Sequence, residues 1–219
     1  MNNRILVLAP HGDDEALGLG GTIVKHTQQG DHVTVAFLKR GYDERTEQQA
    51  QNTHACKNIL KYENIIHLNL DAQIIASDIT TLIKELDSLF DNVNPHTVYT
   101  THMGDLHQDH RALFSATNSA VRYRDNLNIK RVFSYEIPSS TDQGLMKSYF
   151  PFIPNYYNVL TEDQILQKIK GYQWYYTETR SNPLHLRNEN ALIEHAKKRG
   201  RECNSLYAEA FNCLRYICD

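Results

Sequence analysis

His11, Asp13 and Asp14 fall in the hexapeptide Pro10-His11-Gly12-Asp13-Asp14-Glu15, directly after the apolar run Ile5-Leu6-Val7-Leu8-Ala9. A second group, His107-Gln108-Asp109-His110, stands just beyond the short β-type run Thr97-Val98-Tyr99-Thr100. Imidazole nitrogens and carboxylate oxygens are the donors a catalytic divalent cation takes, typically three from the protein with a further position left open. His11 and Asp14, three apart at a strand-to-helix turn, can reach one ion, and His110 can supply the third ligand from a neighbouring strand end. Donors without sulfur make zinc the first choice, with iron, cobalt or manganese as substitutes. Asp13 is then a spare carboxylate beside the cation, because adjacent side chains diverge. It is the candidate general base for a water made acidic by the cation. His107 is placed to steady an oxyanion as imidazolium or to protonate a leaving amine. Asp109 is expected to hydrogen-bond an imidazole N–H and fix its tautomer. Helix capping alone accounts for a pair of aspartates before a helix. Two histidine-carboxylate groups at two strand ends are harder to obtain that way.

The elements that must position these residues alternate in the first half of the chain. Ile5–Ala9, Val33–Leu38, Ile65–Leu68 and Val98–Thr100 are short, apolar and rich in β-branched residues, as strands are. Between them, Ala16–Gln28 ends at a capping Gly30, and Glu47–Leu60 contains no breaker. Ser77–Phe90 lines up Ile79, Leu82, Ile83, Leu86, Leu89 and Phe90 behind Ser77 or Asp78 as N-cap. Arg111–Tyr123 is the helix expected after the second group. The alternation predicts an α/β fold, a Rossmann-like three-layer arrangement around a mostly parallel sheet. Ligands of such sheets bind beyond the strand C-termini, where strand order reverses. Both groups can meet there if their strands are neighbours. Beyond Ser139 the pattern changes. Ser139–Asn158 reads as a long aromatic loop, Asp163–Trp174 and Asn188–Arg199 as helices, and Ala208–Ile217 as a strand or a helix. Residues 1–219 thus form one domain, with 139–219 as a cap-like C-terminal region. Gly18-Leu19-Gly20-Gly21 lies inside a helix, so it is no dinucleotide fingerprint and instead permits close helix packing. No phosphate-binding P-loop and no Gly-x-Ser-x-Gly nucleophile elbow is present.

Composition narrows the function classes. With 219 residues, 41% hydrophobic and 22% charged, the chain is a globular α/β domain rather than a disordered one. A formal net charge of -3 and the lack of basic blocks argue against nucleic acid as a partner. The run Lys197-Lys198-Arg199-Gly200-Arg201 reads as the solvated last turn of a helix. No stretch approaches the ~20 apolar residues of a membrane span, so no membrane partner is expected and a cytoplasmic location is the default. Cys56, Cys203, Cys213 and Cys218 show no metal spacing and are expected to be reduced and mostly buried. His26, His32, His54, His67, His96, His185 and His195 read as surface or packing residues, while His102 is near enough to line the pocket. Association of like chains is compatible with the sequence.

The two motifs resemble those of the PIG-L/LmbE-like family of zinc-dependent N-acetylglucosaminyl deacetylases. That family carries Pro-His-x-Asp-Asp-Glu after its first strand, here Pro10–Glu15, and x-x-Asp-His, here His107–His110. Phe133-Ser134-Tyr135-Glu136-Ile137-Pro138-Ser139-Ser140 and Ala208-Glu209-Ala210-Phe211 extend the likeness over nearly the whole chain. The resemblance implies metal ligands at His11, Asp14 and His110, a general base at Asp13 and an oxyanion-binding histidine at His107. It also implies a Rossmann-like fold without a dinucleotide and removal of acetate from an acetylated amino sugar or its conjugate. Gly12 replaces the commoner proline of the first motif. Arg45 is in doubtful register with a family arginine that lines the pocket, and Pro183-Leu184-His185-Leu186-Arg187 only loosely matches a His-Pro-Arg-Ser pattern. Tyr149, Tyr156, Tyr157, Trp174, Tyr175 and Tyr176 offer faces on which a pyranose can stack, though packing explains them as well. Rival readings are a metal-dependent amidohydrolase on a non-sugar amide, a catalytically silent carbohydrate-binding protein and, less well supported, a nucleotide-binding module.

Overall fold

Strand β1 (Arg4–Ala9) is buried along nearly its whole length, and its alternate residues feed two separate cores. Ile5, Val7 and Ala9 point into one, Leu6 and Leu8 into the other, as the two-residue period of a strand requires. A strand apolar on both faces belongs in the middle of a sheet covered by helices on both sides. The computed structural model, which describes residues 2–38, 45–68, 70, 78–123, 128–175 and 182–218, shows that arrangement. The sheet has seven strands in the order β3-β2-β1-β4-β5-β7-β6. Here β2 is His32–Phe37, β3 Asn64–His67, β4 Thr97–Thr100, β5 Arg131–Tyr135, β6 Tyr156–Leu160 and β7 Tyr207–Tyr216. Strands β1 to β5 pair in parallel; β7 runs antiparallel to both β5 and β6.

Helices α1 (Asp14–Gln28), α2 (Arg45–Leu60), α5 (Glu162–Tyr172) and α6 (Glu189–Glu202) close the first core. Helices α3 (Ile79–Val93) and α4 (Gln108–Ala120) close the second. The α/β, three-layer expectation therefore holds. The region after Ser139 does more than cover the sheet, because it adds β6 and β7 to its edge. Of the Ser139–Asn158 loop, a one-turn helix (Ser140–Gln143) and the start of β6 are ordered elements that the sequence pattern did not suggest. Strand β5 was likewise not anticipated as a strand. Helix α3 begins behind Asp78, whose side chain accepts Thr81 N–H; Ser77 lies outside the described residues. No helix among the described residues is long and apolar enough to cross a membrane.

Helix α1 carries a departure from regularity that the motif Ala208-Glu209-Ala210-Phe211 explains. Leu19 leaves helical geometry (φ -148°, ψ 26°), so the helix kinks and frees backbone N–H groups in its middle. The buried Glu209 carboxylate accepts two of them, Gly21 N–H at 3.1 Å and Thr22 N–H at 2.7 Å, and Lys168 Nζ neutralises it at 2.7 Å. Gly18 sits against the Tyr135 ring so tightly that a Cβ there would collide with it. The Tyr135 hydroxyl in turn donates to Leu8 O at 2.7 Å, pinning α1 over β1 and the loop that follows.

Three expectations need correction. Arg199 is not solvated: it is buried, bonds both Glu136 oxygens at 2.7 and 2.6 Å, and also meets Glu202. Its charge is matched by a carboxylate 63 positions away, which a local charge run cannot reveal. All four cysteines are free thiols, but only Cys56 is buried. His102 is buried against Phe152 with Nε2 3.1 Å from Phe150 O, and it does not line the cavity described next.

Candidate active site

Strand order reverses between β1 and β4, which pair directly, Ile5 with Thr97 and Val7 with Tyr99. The first motif leaves the C-terminal end of β1 and the second follows β4, so both fall into the crevice where α/β sheets bind ligands. A cavity of about 420 Å³ opens there, lined by His11, Asp13, Asp14, His107, His110 and Arg187, with Gly12, Gln49, Asn52, Ser140 and Tyr175 completing it.

Local sequence sets how each side chain enters. Asp14 opens α1 and turns its carboxylate back, so that Oδ2 accepts His11 N–H at 3.0 Å. The same oxygen lies 3.3 Å from His11 Nδ1 and 3.3 Å from His110 Nε2. Helix α4 starts three residues earlier than expected because His107 is its N-cap, Nδ1 accepting Asp109 N–H. That places His110 in the first turn, pointing at Asp14. Asp109 does orient an imidazole, but the ring is His11, whose Nε2 is 2.9 Å from Asp109 Oδ2; the contact to His107 is 3.9 Å.

A residue the sequence reading passed over completes the frame. Asp105, almost fully buried, receives His107 N–H at 2.8 Å, Thr141 Oγ1 at 2.7 Å and the Ser140 hydroxyl, with His110 Nδ1 at 3.1 Å. His11 and His110 therefore each have one ring nitrogen against a carboxylate and the other against Asp14 Oδ2, as second-layer carboxylates arrange metal-binding histidines. Neither buried nitrogen of His110 makes a hydrogen bond of good geometry, although Nε2 approaches Asp14 to 3.3 Å and Nδ1 approaches Asp105 to 3.1 Å. Two nitrogens and one carboxylate oxygen converging without a well-formed hydrogen bond at His110 is a donor set suited to a divalent cation. His107 is near enough to join them: one donor atom each of His11, His107 and His110 lies within 4.8 Å of the others.

Electrostatics follows from burial and these contacts. Burial opposes charge on His11 and His110, yet Asp109 and Asp14 raise the first to about 9, and Asp14 and Asp105 raise the second to about 10. Burial likewise opposes ionisation of Asp14 and Asp105, but the neighbouring histidines hold both below the usual carboxylate range. Carboxylates thus outweigh burial here and make the centre favourable for positive charge. His107 differs: burial and the facing His11 and His110 lower it. Its Nδ1 accepts Asp109 N–H, which leaves Nε2 as the ring nitrogen that carries its proton.

Asp13 adopts φ 131°, a left-handed conformation costly for a residue with a side chain. Its N–H donates to Glu15 Oε2 at 3.1 Å, and its carboxylate meets Arg187 Nη1 at 3.3 Å. Arg187 also donates from Nε to Ser139 Oγ at 2.6 Å. Glu15 is fully buried, takes a hydrogen bond from the Tyr175 hydroxyl at 2.8 Å, and is pushed up to about 7 by that burial. Arg187 thus enters from the loosely matching Pro183–Arg187 segment, a contact visible only once the chain is folded. Of the aromatic candidates, Tyr175 alone among the described residues lines the cavity. Trp174 and Tyr149 are exposed, while Tyr156 packs on Phe133 and Tyr157 bonds Glu202. Tyr176 and the Arg45 side chain lie outside the described residues.

The chain is 27% identical over 173 residues to an uncharacterized deacetylase, YaiS, of Escherichia coli, covering 75% of this chain and 86% of that protein. Its fold is similar to N,N'-diacetylchitobiose deacetylase from Pyrococcus horikoshii (TM-score 0.74, 19% identity, 96% of this chain and 83% of that one). It is as similar to GalB, the 4-carboxy-2-hydroxymuconate hydratase of Pseudomonas putida (TM-score 0.78, 18% identity, 100% and 98%), so the fold alone does not select a reaction. The sequence is more discriminating. Residues 6–121, more than half of the chain and including both site motifs, match the family model described as PIG-L, GlcNAc-PI de-N-acetylase, and the chain belongs to that family.

Proposed function

We propose that the protein is a zinc-dependent hydrolase that removes the N-acetyl group of an amino sugar or an amino sugar conjugate, yielding acetate and a free amine. The observation that carries this reading is Asp14 Oδ2, 3.3 Å from both His11 Nδ1 and His110 Nε2, at the strand-order reversal. Zinc held by His11, Asp14 and His110 would polarise the amide carbonyl and make the attacking water acidic, chemistry that iron or cobalt also supplies. Asp13, on the cavity wall and gripped by Arg187, takes the proton from that water and passes it to the departing nitrogen. His107 donates from Nε2 to the oxyanion formed at the acetyl carbon. Its half-exposed position and its use as the N-cap of α4 support a role toward substrate rather than toward the metal. Asp109 and Asp105 hold the rings of His11 and His110 in place. Gln49, Asn52 and Ser140 supply the amide and hydroxyl groups that sugar hydroxyls pair with.

The test is acetate release by zinc-loaded protein from a panel of N-acetylated amino sugars and non-sugar acetamides, with and without chelator. Hydrolysis of the sugars that chelation abolishes is expected. Preference for the non-sugar amides would replace the substrate class, and the absence of any metal-dependent acetate release would overturn the reaction.

A further inference from the structure

Asp13 stands at the N-cap of α1, where an aspartate ordinarily spends its carboxylate on the helix, accepting the N–H of the second or third helical residue. Here the side chain makes no such bond. With φ 131° and ψ -24° the residue leaves the extended conformation that capping uses, and its carboxylate lies on the cavity wall instead. A capping box has two halves, a forward bond from the N-cap side chain and a return bond from an acidic or amide side chain to the N-cap N–H. Only the return half is built here. Ala16, at the third helical position where the return residue usually stands, has no acceptor. Glu15, one residue earlier, supplies it: Asp13 N–H donates to Glu15 Oε2 at 3.1 Å.

Glu15 is fully buried beneath this turn and does not line the cavity. The Tyr175 hydroxyl donates to its Oε1 at 2.8 Å, so one carboxylate ties the Asp13 backbone to a wall of the cavity. The Cys56 thiol of α2 faces the same carboxylate. On the far side of Asp13, its carbonyl accepts Leu17 N–H at 2.9 Å, so the helix holds one end of the residue and Glu15 the other. Gly12, just before it, brings no side chain to stiffen the turn, and it stands where a proline would fix the backbone. Arg187 meets the Asp13 carboxylate at 3.3 Å, a contact to the group being aimed and not to the backbone that aims it.

We infer that Glu15 is the positioning residue of Asp13: its buried side chain holds the Asp13 backbone in the left-handed conformation and so keeps the Asp13 carboxylate off the helix end and on the cavity. Without that brace Asp13 relaxes to an ordinary N-cap, and its carboxylate turns back onto the first N–H groups of α1. Glu15 acts only through Asp13. The inference rests on the reading of Asp13 as the base and adds what aims it.

The test joins kinetics to an NMR reading of the turn, both on zinc-loaded protein. Glu15→Ala should lower kcat for acetate release about 100-fold, as displacement of a reacting group by about 1 Å does, with KM within about twofold and zinc content unchanged. Glu15→Gln keeps an acceptor for Asp13 N–H, and the Tyr175 hydroxyl can accept from its amide, so it should recover about tenfold or more of that loss. In the Asp13→Asn background Glu15→Ala should cost less than about twofold further, because residues that act as one unit do not add. The HN–Hα coupling of Asp13, which reads φ, should move to the extended range in Glu15→Ala and stay as in wild type in Glu15→Gln. Glu15→Met, which fills the volume without an acceptor, replaces Glu15→Ala if that variant does not fold. Wild-type kcat in Glu15→Ala, no recovery in Glu15→Gln, a full further loss in the Asp13→Asn background or loss of zinc overturns the inference. If wild type releases no acetate, the proposed reaction falls and the coupling decides alone: an unchanged Asp13 φ in Glu15→Ala overturns the brace, and a changed one upholds it.

Discussion

Asp105 is the residue on which the candidate site turns, and Asp105→Asn isolates its effect. The carboxylate takes the His107 N–H, two hydroxyls and the contact from His110 Nδ1, almost without solvent. Asparagine keeps one acceptor oxygen and turns the other into a donor facing donors. Three of the four contacts fall on Oδ1 and only the Thr141 hydroxyl on Oδ2, so the amide keeps its oxygen toward the three, loses the Thr141 bond and weakens the others by removing the charge; a charge-assisted bond being worth roughly 1.5–3 kcal/mol, about 3 kcal/mol of stability should go. With an unfolding entropy of about 2.1 cal/mol/K per residue, a chain of this length should melt roughly 6 °C lower. That figure applies to chelated protein, since bound metal stabilises the fold separately. His110 also loses the charged partner that orients its ring, so zinc affinity should fall about 10- to 100-fold. Chemical denaturation in chelator and a competitive zinc titration read the two effects apart. Wild-type zinc affinity in a variant that has lost the stability would refute the second-layer role of Asp105.

Glu136, held at about 2 by His195 and Arg199 against its burial, is a depressed acid. Its contribution, about 3 kcal/mol, is complete above pH ~4.5 and fades as pH falls toward 2. Urea denaturation across that window should show a loss in wild type that Glu136→Gln lacks, the variant being less stable at neutral pH because Arg199 stays buried without its partner. Gly18→Ala should destabilise by about 1–3 kcal/mol, because the clash with Tyr135 exceeds the gain of about 1 kcal/mol in helix propensity; a stabilised variant would show that the α1–Tyr135 contact is loose. His107→Asn keeps an N-cap acceptor. It should lower kcat about 100- to 1000-fold with zinc content unchanged, whereas loss of zinc would make His107 a ligand.

Much of the site was legible because its chemistry is local. Six residues around the β1 turn and four at the start of α4 name their own donors, and the strand-helix alternation places both at strand ends. What joined them was the pairing of β1 with β4, a property of topology that no local pattern contains. Asp105 escaped notice because its partners Ser140 and Thr141 lie 35 and 36 residues on, in a segment that read as loop. Arg187 escaped for the same reason, reaching Asp13 across 174 positions. Strand β5 mixes Arg131 and Ser134 into its apolar residues, and β6 begins inside the aromatic stretch, so neither announced itself by period. Arg199 was misjudged because its neighbours are solvated lysines while its own carboxylate is distant in sequence.

The most direct measurement of the central claim is metal content and acetate release together, in wild type and in Asp13→Asn. One bound zinc per chain in both proteins is expected, with turnover in the variant reduced by about 100-fold or more, the share a general base supplies. Undiminished acetate release from Asp13→Asn, or full activity in wild type stripped of metal, would contradict a metal-assisted hydrolysis at the β1–β4 crevice.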